Sequence, residues 1–326
     1  MRIVVQPGPR VKGGGTQASA EASRLVAGAS QAALGEQGQV RARQAAGRSS
    51  LGRESVRFAF CNEGFGNRPW PEQCAAVAAA GYAGIEVAPF ALAEEVRSVR
   101  AARRAELRRA AESAGLEIVG LHWLLVKPEG LHISHPDAVV RTRTSDHLRW
   151  LTDLCADLGG RIMVFGSPGQ RGGTAGATAQ DAWRWAAETF TAVLPALSAR
   201  GVTLCIEPLT PVETDFINTA AEGRRLVEEI GHPNFRLILD VKAMCTEPVP
   251  IPDLIRRHAD VLAHVHANDA NRQGPGFGEV DFRPILAALQ EVGYQGYVSA
   301  EPFEFIPDVD TVLRRSAGYL RSCLPV

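Results

Sequence analysis

The sequence predicts an α/β protein: a (β/α)8 TIM barrel formed by residues 58–326 and preceded by a disordered basic extension, residues 1–57. The first observation behind this prediction is an alternation after Phe58, where short apolar runs and longer helical patterns follow one another. Eight such units in about 270 residues match a (β/α)8 barrel in number and size. The second is a break in composition near residue 57, where aromatic residues begin and the sign of the net charge changes.

The extension differs from the rest of the chain in both charge and apolar content. Residues 1–57 contain no Phe, Trp or Tyr, and their nine basic and three acidic residues give a net charge of +6, against −7 for residues 58–326. Such a segment cannot bury enough apolar surface to form a core, so it is interpreted as unstructured. A basic arm or an organelle-type targeting peptide is the functional alternative.

The composition of the whole chain argues against several classes of protein. A net charge of −1 offers no basic footprint for nucleic acid. No run approaches the roughly 18 apolar residues of a membrane-spanning helix, so neither a nucleic-acid nor a membrane partner is expected. The six cysteines form no CxxC pair. They are interpreted as small buried apolar residues in a reducing compartment, which predicts a cytoplasmic protein.

Eight segments carry the predicted strands. In chain order they are 58–63, 84–90, 117–125, 161–167, 202–209, 236–244, 262–269 and 296–303. Most are continuous apolar runs rather than alternating patterns, which is typical of parallel strands covered on both faces. An open, doubly wound sheet is the alternative fold. It favours a GxGxxG motif after the first strand, and FCNEGFGNRP (60–69) does not supply one.

Helical patterns separate these strands. The first begins near Pro71, and proline is well tolerated in the first turn of a helix. Most of these patterns end at a glycine, which is the usual residue after the last helical turn. The glycines are Gly115, Gly159, Gly201, Gly231 and Gly293.

Polar residues stand at the C-terminal ends of most predicted strands, where the active site of such a barrel lies. They are Asn62, Glu63, Glu86, His122, Glu207, Asp240, His264 or His266, and Glu301. The last four strands of the chain can bring two glutamates, one aspartate and one histidine to a single point. Because side chains alternate along a strand, His264 and His266 share a face, and His266, nearer the strand end, is the predicted ligand.

The four groups Glu207, Asp240, His266 and Glu301 form an oxygen-rich set with one imidazole. Such a set suits one divalent metal ion, with Mn²⁺ preferred and Mg²⁺, Co²⁺ or Zn²⁺ as alternatives. Each residue alone would more often be an ion-pair partner or a core residue. Four of them at equivalent positions of four successive units indicate a shared function.

From about Phe58 to its end, the chain resembles the xylose-isomerase-like barrels known as sugar phosphate isomerases/epimerases, and within them the D-tagatose/D-psicose 3-epimerase group. The four predicted ligands are 33, 26 and 35 residues apart, which is similar to the spacing of that group's metal ligands. The motifs EPLTPVE (207–213) and HANDANR (266–272) extend the resemblance, which implies that Glu213 and Arg272 bind a small sugar substrate. Dimers and tetramers are common in the group, so a homo-oligomer is also open.

One position departs from the resembled group. The group has a histidine three residues after the metal-binding aspartate, and DVKAM (240–244) places Ala243 there, beside Lys242. This puts epimerisation of a free ketose in question. His122, in GLHWLL, could supply an imidazole from the third strand. Lys242, His122 and Glu86 therefore join the predicted substrate contacts.

The predicted chemistry is proton transfer beside a carbonyl group. A divalent ion that binds a carbonyl and a neighbouring hydroxyl polarises both and makes the adjacent hydrogen acidic. Glu207 and Glu301 are predicted to take and return that proton by way of an enediolate intermediate. Return on the opposite face gives epimerisation, and return at the neighbouring carbon gives isomerisation.

Other functions stay open at this point. Loss of a β-substituent would instead make a lyase, a dehydratase or a C-glycoside-cleaving enzyme acting on a keto sugar or keto-inositol, and phosphorylation of the substrate is not fixed. An abasic-site endonuclease shares the barrel but needs more metal ligands and a basic surface. A non-catalytic sugar-binding subunit would tolerate loss of Glu207. The glycine-rich loops 166–173, which contains Arg171, and 274–282 are interpreted as turns rather than phosphate sites.

Overall fold

The computed structural model describes residues 56–174 and 176–325, and within them eight parallel strands form a closed barrel in chain order. Each strand pairs with the next, and β8 pairs with β1. The strands are β1 (Arg57–Cys61), β2 (Gly84–Val87), β3 (Glu117–Leu121), β4 (Ile162–Phe165), β5 (Thr203–Ile206), β6 (Phe235–Asp240), β7 (Leu262–Ala267) and β8 (Tyr297–Ala300). The predicted barrel is confirmed, and all eight predicted strand segments contain a strand.

The barrel begins slightly earlier than the sequence suggested. Arg57 is the first residue of β1 and pairs with Tyr297, and Val56 belongs to the apolar core. The predicted boundary at residue 58 is therefore late by two residues. The rest of the predicted disordered extension, residues 1–55, lies outside the described residues.

Helices follow every strand on the outside of the barrel. In the part of the chain that the structure describes they are α1 (Trp70–Ala79), α2 (Ala101–Ser113), α3 (Ala138–Leu158), α4 (Ala179–Thr191), α5 (Leu194–Arg200), α6 (Ala220–Ile230), α7 (Val241–Met244), α8 (Ile251–His258), α9 (Phe282–Glu291) and α10 (Val309–Ser322). No helix among residues 56–174 and 176–325 is long and apolar enough to cross a membrane.

The helix ends follow from local sequence. Gly159, Gly201 and Gly231 take left-handed backbone conformations immediately after α3, α5 and α6, as predicted. The single helical pattern predicted after β4 is divided into α4 and α5. Pro195 explains the break, because proline fits the first turn of α5 but cannot continue α4.

The strands are buried on both faces. One large apolar cluster joins strands and helices, and two smaller clusters of strand residues are separate from it: Ala59, Val119 and Tyr297, and Val164, Cys205 and Ile238. Phe165, Phe190 and Phe235 are fully enclosed between strands and helices, and burial of each such side chain contributes about 1.5–3 kcal/mol. Five of the six cysteines are buried, as predicted, and Cys245 is exposed.

Candidate metal centre and active site

The four predicted ligands meet at the C-terminal mouth of the barrel. Glu207 follows β5, Asp240 ends β6, His266 lies near the end of β7 and Glu301 follows β8. One potential ligand atom from each residue lies within 4.8 Å of the others, and all four side chains are buried. Four consecutive strands of a closed barrel therefore place three carboxylates and one imidazole around a common point.

His266 is held so that one ring nitrogen faces the carboxylates. Its Nε2 lies 3.1 Å from Oε1 of Glu86, whereas its Nδ1 lies 3.0 Å from Oε2 of Glu301 and 3.7 Å from Oε1 of Glu207. Among the described residues, His266 Nδ1 and Glu301 Oε2 have no hydrogen-bond partner of good geometry. Buried polar atoms are rarely left without a partner, and a divalent cation would satisfy both. The donor set thus fits the predicted metal.

Glu86 lies beneath this cluster and contacts two histidines. It is fully buried, and its Oε2 lies 2.8 Å from Nε2 of His264, one layer further down. Burial alone raises the pKa of a carboxyl group, but His264 and His266 together hold the pKa of Glu86 well below its ordinary value. The predicted substrate contact for Glu86 does not agree with this position, because both of its oxygens face histidine rings rather than the cavity.

Asp240 is oriented by two hydrogen bonds. Its Oδ1 accepts from the backbone N–H of Ala243 at the start of α7, and its Oδ2 accepts from Nδ2 of Asn268 at 2.5 Å. Asn268 in turn accepts from the backbone N–H of Lys242. The sequence analysis missed Asn268, although it follows His266 by two residues and so shares its strand face.

The carboxyl groups of this cluster crowd one another in a buried space. Burial, followed by the charge of Glu207, raises the pKa of Asp240 to about 6. Burial also raises the pKa of Glu301 to about 7, even though the neighbouring His266 acts in the opposite direction. Both groups would bind a proton readily unless a cation lies between them.

Glu207 rests against the backbone of the preceding strand end. A Cβ placed on Gly166 would lie 2.1 Å from Oε2 of Glu207, so only glycine leaves room for this carboxylate. Arg171 also contacts this part of the backbone. Its guanidinium donates to the backbone carbonyls of Glu207, Phe165 and Gly166 at 2.6–2.9 Å. Arg171 is buried, so the loop cation noted in the sequence holds backbone in place.

A cavity of about 20 Å³ lies directly above the cluster. Its lining includes His122, Trp123, Glu207, Glu213, Glu301 and Phe303. Trp123 has a φ of 52°, which is uncommon for a bulky residue, and its ring meets the ring of Phe303 edge to face. The enclosed part of this space is close to the volume of a single water molecule.

The remaining predicted substrate contacts lie around this cavity. Lys242 Nζ lies 2.6 Å from Oε1 of Glu213 and 4.4 Å from the centre of the Phe303 ring. His122 Nε2 lies 2.9 Å from Oε2 of Glu63. Arg272 is half exposed, and its guanidinium carbon lies 5.1 Å from the centre of the Phe303 ring. Lys242, Glu213 and His122 are therefore brought to the site, and Arg272 borders it.

A larger groove of about 980 Å³ lies on the outer surface and is lined by residues of α4 and α6, including Trp183 and Arg225. None of the four predicted metal ligands lines it. Its size alone does not make it the active site, because no cluster of ligating side chains accompanies it among the described residues.

Comparison with known proteins shows that the chain is similar to epimerases of sugars. A D-psicose 3-epimerase from Ruminiclostridium cellulolyticum is 36% identical over 121 residues, which cover 37% of this chain and 41% of that protein. An L-ribulose 3-epimerase from Mesorhizobium japonicum is 33% identical over 171 residues, which cover 52% of this chain and 58% of that protein. The chain thus spans about two fifths to three fifths of the length of these curated relatives.

Comparison of structures confirms the fold. The crystal structure of 3-keto-D-glucoside 4-epimerase from E. coli superimposes with a TM-score of 0.73 at 21% identity, covering 82% of this chain and all of that one. The family model for the xylose isomerase-like TIM barrel matches residues 74–323. The resemblance predicted from the ligand spacing is therefore confirmed, and the chain belongs to the xylose isomerase-like TIM barrel family.

Proposed function

We propose that this protein is a metal-dependent epimerase or isomerase that moves a proton beside the carbonyl group of a sugar. The observation that carries the proposal is the convergence of Glu207, Asp240, His266 and Glu301 on one point beneath a cavity. The names of the related 3-epimerases support the same chemistry.

Glu207, Asp240, His266 and Glu301 would hold one divalent cation, with Mn²⁺ favoured by the oxygen-rich set. Such a cation supplies a Lewis acid that polarises the substrate carbonyl and the adjacent hydroxyl. His266 would bind through Nδ1, because Glu86 engages Nε2 and fixes the ring. Glu86 is thus proposed to orient a ligand.

Glu207 and Glu301 are the proposed acid–base pair. They come from β5 and β8, so they approach the cavity from different sides, and both line it. One carboxylate would remove the proton beside the carbonyl and the other would return a proton to the opposite face. Lys242, which contacts Glu213, and His122, which contacts Glu63, would donate hydrogen bonds to substrate oxygens.

We propose that the substrate is an unphosphorylated sugar. In the loop 166–173 the guanidinium of Arg171 is engaged by three carbonyls, so it is not presented to a phosphate. In the loop 274–282 the backbone N–H groups of Gly278 and Val280 donate to Asp269. Neither glycine-rich loop presents these donors to a ligand.

A second candidate function follows from Ala243. This residue stands close to Asp240, at a position where the resembled group has a histidine, so α7 contributes no imidazole to the carbonyl end of a substrate. A keto-glycoside or keto-inositol would suit the site better than a free ketose, and elimination from such a substrate would start with the same proton abstraction. A cytoplasmic location and a homo-oligomer stay predictions.

The proposal is tested by hydrogen exchange. The Mn²⁺-loaded protein is incubated in D₂O with D-psicose, L-ribulose, a 3-keto-glucoside and a keto-inositol, and deuterium uptake at each carbon is followed by NMR. Glu207→Gln and Glu301→Gln should each slow exchange by about 10²–10⁴-fold, because each removes a base. Glu72→Gln, on the exposed face of α1, is the matched control.

Two results would count against the proposal. The first is an absence of exchange into any substrate by protein that demonstrably holds Mn²⁺. The second is strong retention of the chain by heparin together with cleavage of abasic DNA, which would favour the endonuclease alternative.

A further inference from the structure

A second group of potential metal ligands lies beside the first. Glu63, in the short turn after β1, His122, after β3, and Glu301 offer ligand atoms that lie within 4.8 Å of one another. Glu301 belongs to both groups. The rings of His122 and His266 are 6.1 Å apart, so the two groups are neighbours at the same barrel mouth.

The second group contains buried polar atoms without partners. The side chain of His122 is 1% exposed, and its Nδ1 has no hydrogen-bond partner among the described residues. The same holds for Oε1 of Glu63, whose other oxygen contacts His122. Carboxylate oxygens taken out of water without a donor or a cation are costly, so this arrangement calls for a positive ligand.

The excess of carboxylates around the second group also favours a bound cation. Four carboxylates, from Glu63, Glu207, Asp240 and Glu301, lie around His122 and His266 at this mouth, and a fifth, that of Glu86, lies beneath them. Lys242 is engaged by a further carboxylate, that of Glu213. One divalent ion among the first four ligands offsets only two of the five negative charges. A neighbouring second cation would reduce the remaining repulsion.

We propose that Glu63, His122 and Glu301 form a second divalent cation site, and that a cation bound there inhibits the enzyme. Two carboxylates and one imidazole with an open fourth position suit Zn²⁺. Inhibition follows because Glu301 is shared: a second ion would engage the oxygen of this carboxylate that the first ion leaves free to move a proton. This consequence, though not the binding itself, rests on the proposed function.

The test uses the full chain loaded with one equivalent of Mn²⁺ and titrated with Zn²⁺. Electron paramagnetic resonance separates protein-bound from free Mn²⁺, and native mass spectrometry counts both metals. We expect one Zn²⁺ to bind while Mn²⁺ stays bound, and exchange activity to fall as Zn²⁺ binds. Release of one Mn²⁺ for each Zn²⁺ taken up would overturn the proposal, because Zn²⁺ would then occupy the first site.

A pair of matched variants assigns the site. Glu63→Gln removes a charged ligand but keeps an oxygen that can accept a hydrogen bond from His122. The Zn²⁺ concentration needed for half-saturation of the site, and that needed for half-inhibition of exchange, should each rise by roughly tenfold or more. Glu72→Gln, on the exposed face of α1, should leave both unchanged. Equal Zn²⁺ responses in the two variants would overturn the proposal.

The metal counts also separate this inference from the proposed function. If the protein showed no activity on any sugar, stepwise binding of Mn²⁺ and then Zn²⁺, weakened by Glu63→Gln, would still support the second site. If the protein were active but bound a single metal ion under all conditions, the second site would be excluded and the proposed function would stand.

Discussion

Gly166→Ala is the most selective perturbation of the proposed metal centre. The added Cβ would lie 2.1 Å from Oε2 of Glu207, whereas a carbon and an oxygen in contact are separated by about 3.3 Å. The Glu207 carboxylate must therefore retreat by about 1.2 Å. Metal–ligand distances tolerate about 0.2 Å, so Glu207 would leave the metal's coordination sphere.

The expected result is a large loss of function in a folded protein. A misplacement of about 1 Å at a reacting group costs about 10²-fold in rate, and we expect at least this loss in the deuterium-exchange assay, with weaker Mn²⁺ binding by paramagnetic resonance. The melting temperature should stay the same or rise slightly, because the backbone of Gly166 does not require a positive φ and alanine restricts the unfolded chain.

Gly169→Ala provides the control within the same loop. A Cβ at Gly169 would meet no atom within 4 Å, so this variant should keep full activity and full metal affinity. If Gly166→Ala exchanged deuterium at the rate of Gly169→Ala, then Glu207 would be neither a metal ligand nor a proton-transfer group, and the proposed mechanism would fail.

Three further predictions concern the groups around the metal. Acidification should weaken Mn²⁺ binding, because burial raises the pKa of Glu301 to about 7 and of Asp240 to about 6, and protons then compete with the ion. The affinity should be full above about pH 7 and fall progressively below it; paramagnetic resonance titrations that show no change down to about pH 5 would contradict this. Glu86→Gln should weaken Mn²⁺ binding by roughly 10–100-fold, because His266 loses the carboxylate that orients it, and unchanged affinity would remove that role from Glu86. Ala243→His should leave Mn²⁺ affinity unchanged and raise turnover of free ketoses relative to keto-glycosides; an unaltered preference, measured on both substrates, would show that this position does not select the substrate.

The sequence was sufficient to predict the barrel and the four groups that converge at its mouth. Both follow from one physical rule, since parallel strands of a closed barrel present their C-terminal ends at the same edge. A glutamate, an aspartate or a histidine at such an end can be placed without knowing any other contact. Glu207, Asp240, His266 and Glu301 all belong to this class.

Residues whose roles depend on contacts through space were beyond sequence reasoning. Arg171 lies in a glycine-rich loop that suggests exposure, yet it is buried against three carbonyl groups. The sequence predicts Glu86 as a substrate contact because it is polar and near a strand end. Glu86 lies one residue before the end of β2. At this position its side chain points into the barrel interior and contacts the two histidines. Pro195, by contrast, was visible in the sequence and explains the division of α4 from α5.

His264, Glu86 and His266 are connected in series along the barrel interior, and this connection affects how the protein could acquire a new substrate. The proposed metal ligand His266 is anchored from below, by strand residues, and independently of the loops that roof the cavity. Mutations of Trp123 and Phe303 themselves can therefore accumulate without rebuilding the ion's coordination, whereas Glu301, two residues before Phe303, must be kept. A library that varies only Trp123 and Phe303 would test new sugars while the proposed metal ligands stay unchanged. Directed evolution of this protein should begin at these two positions.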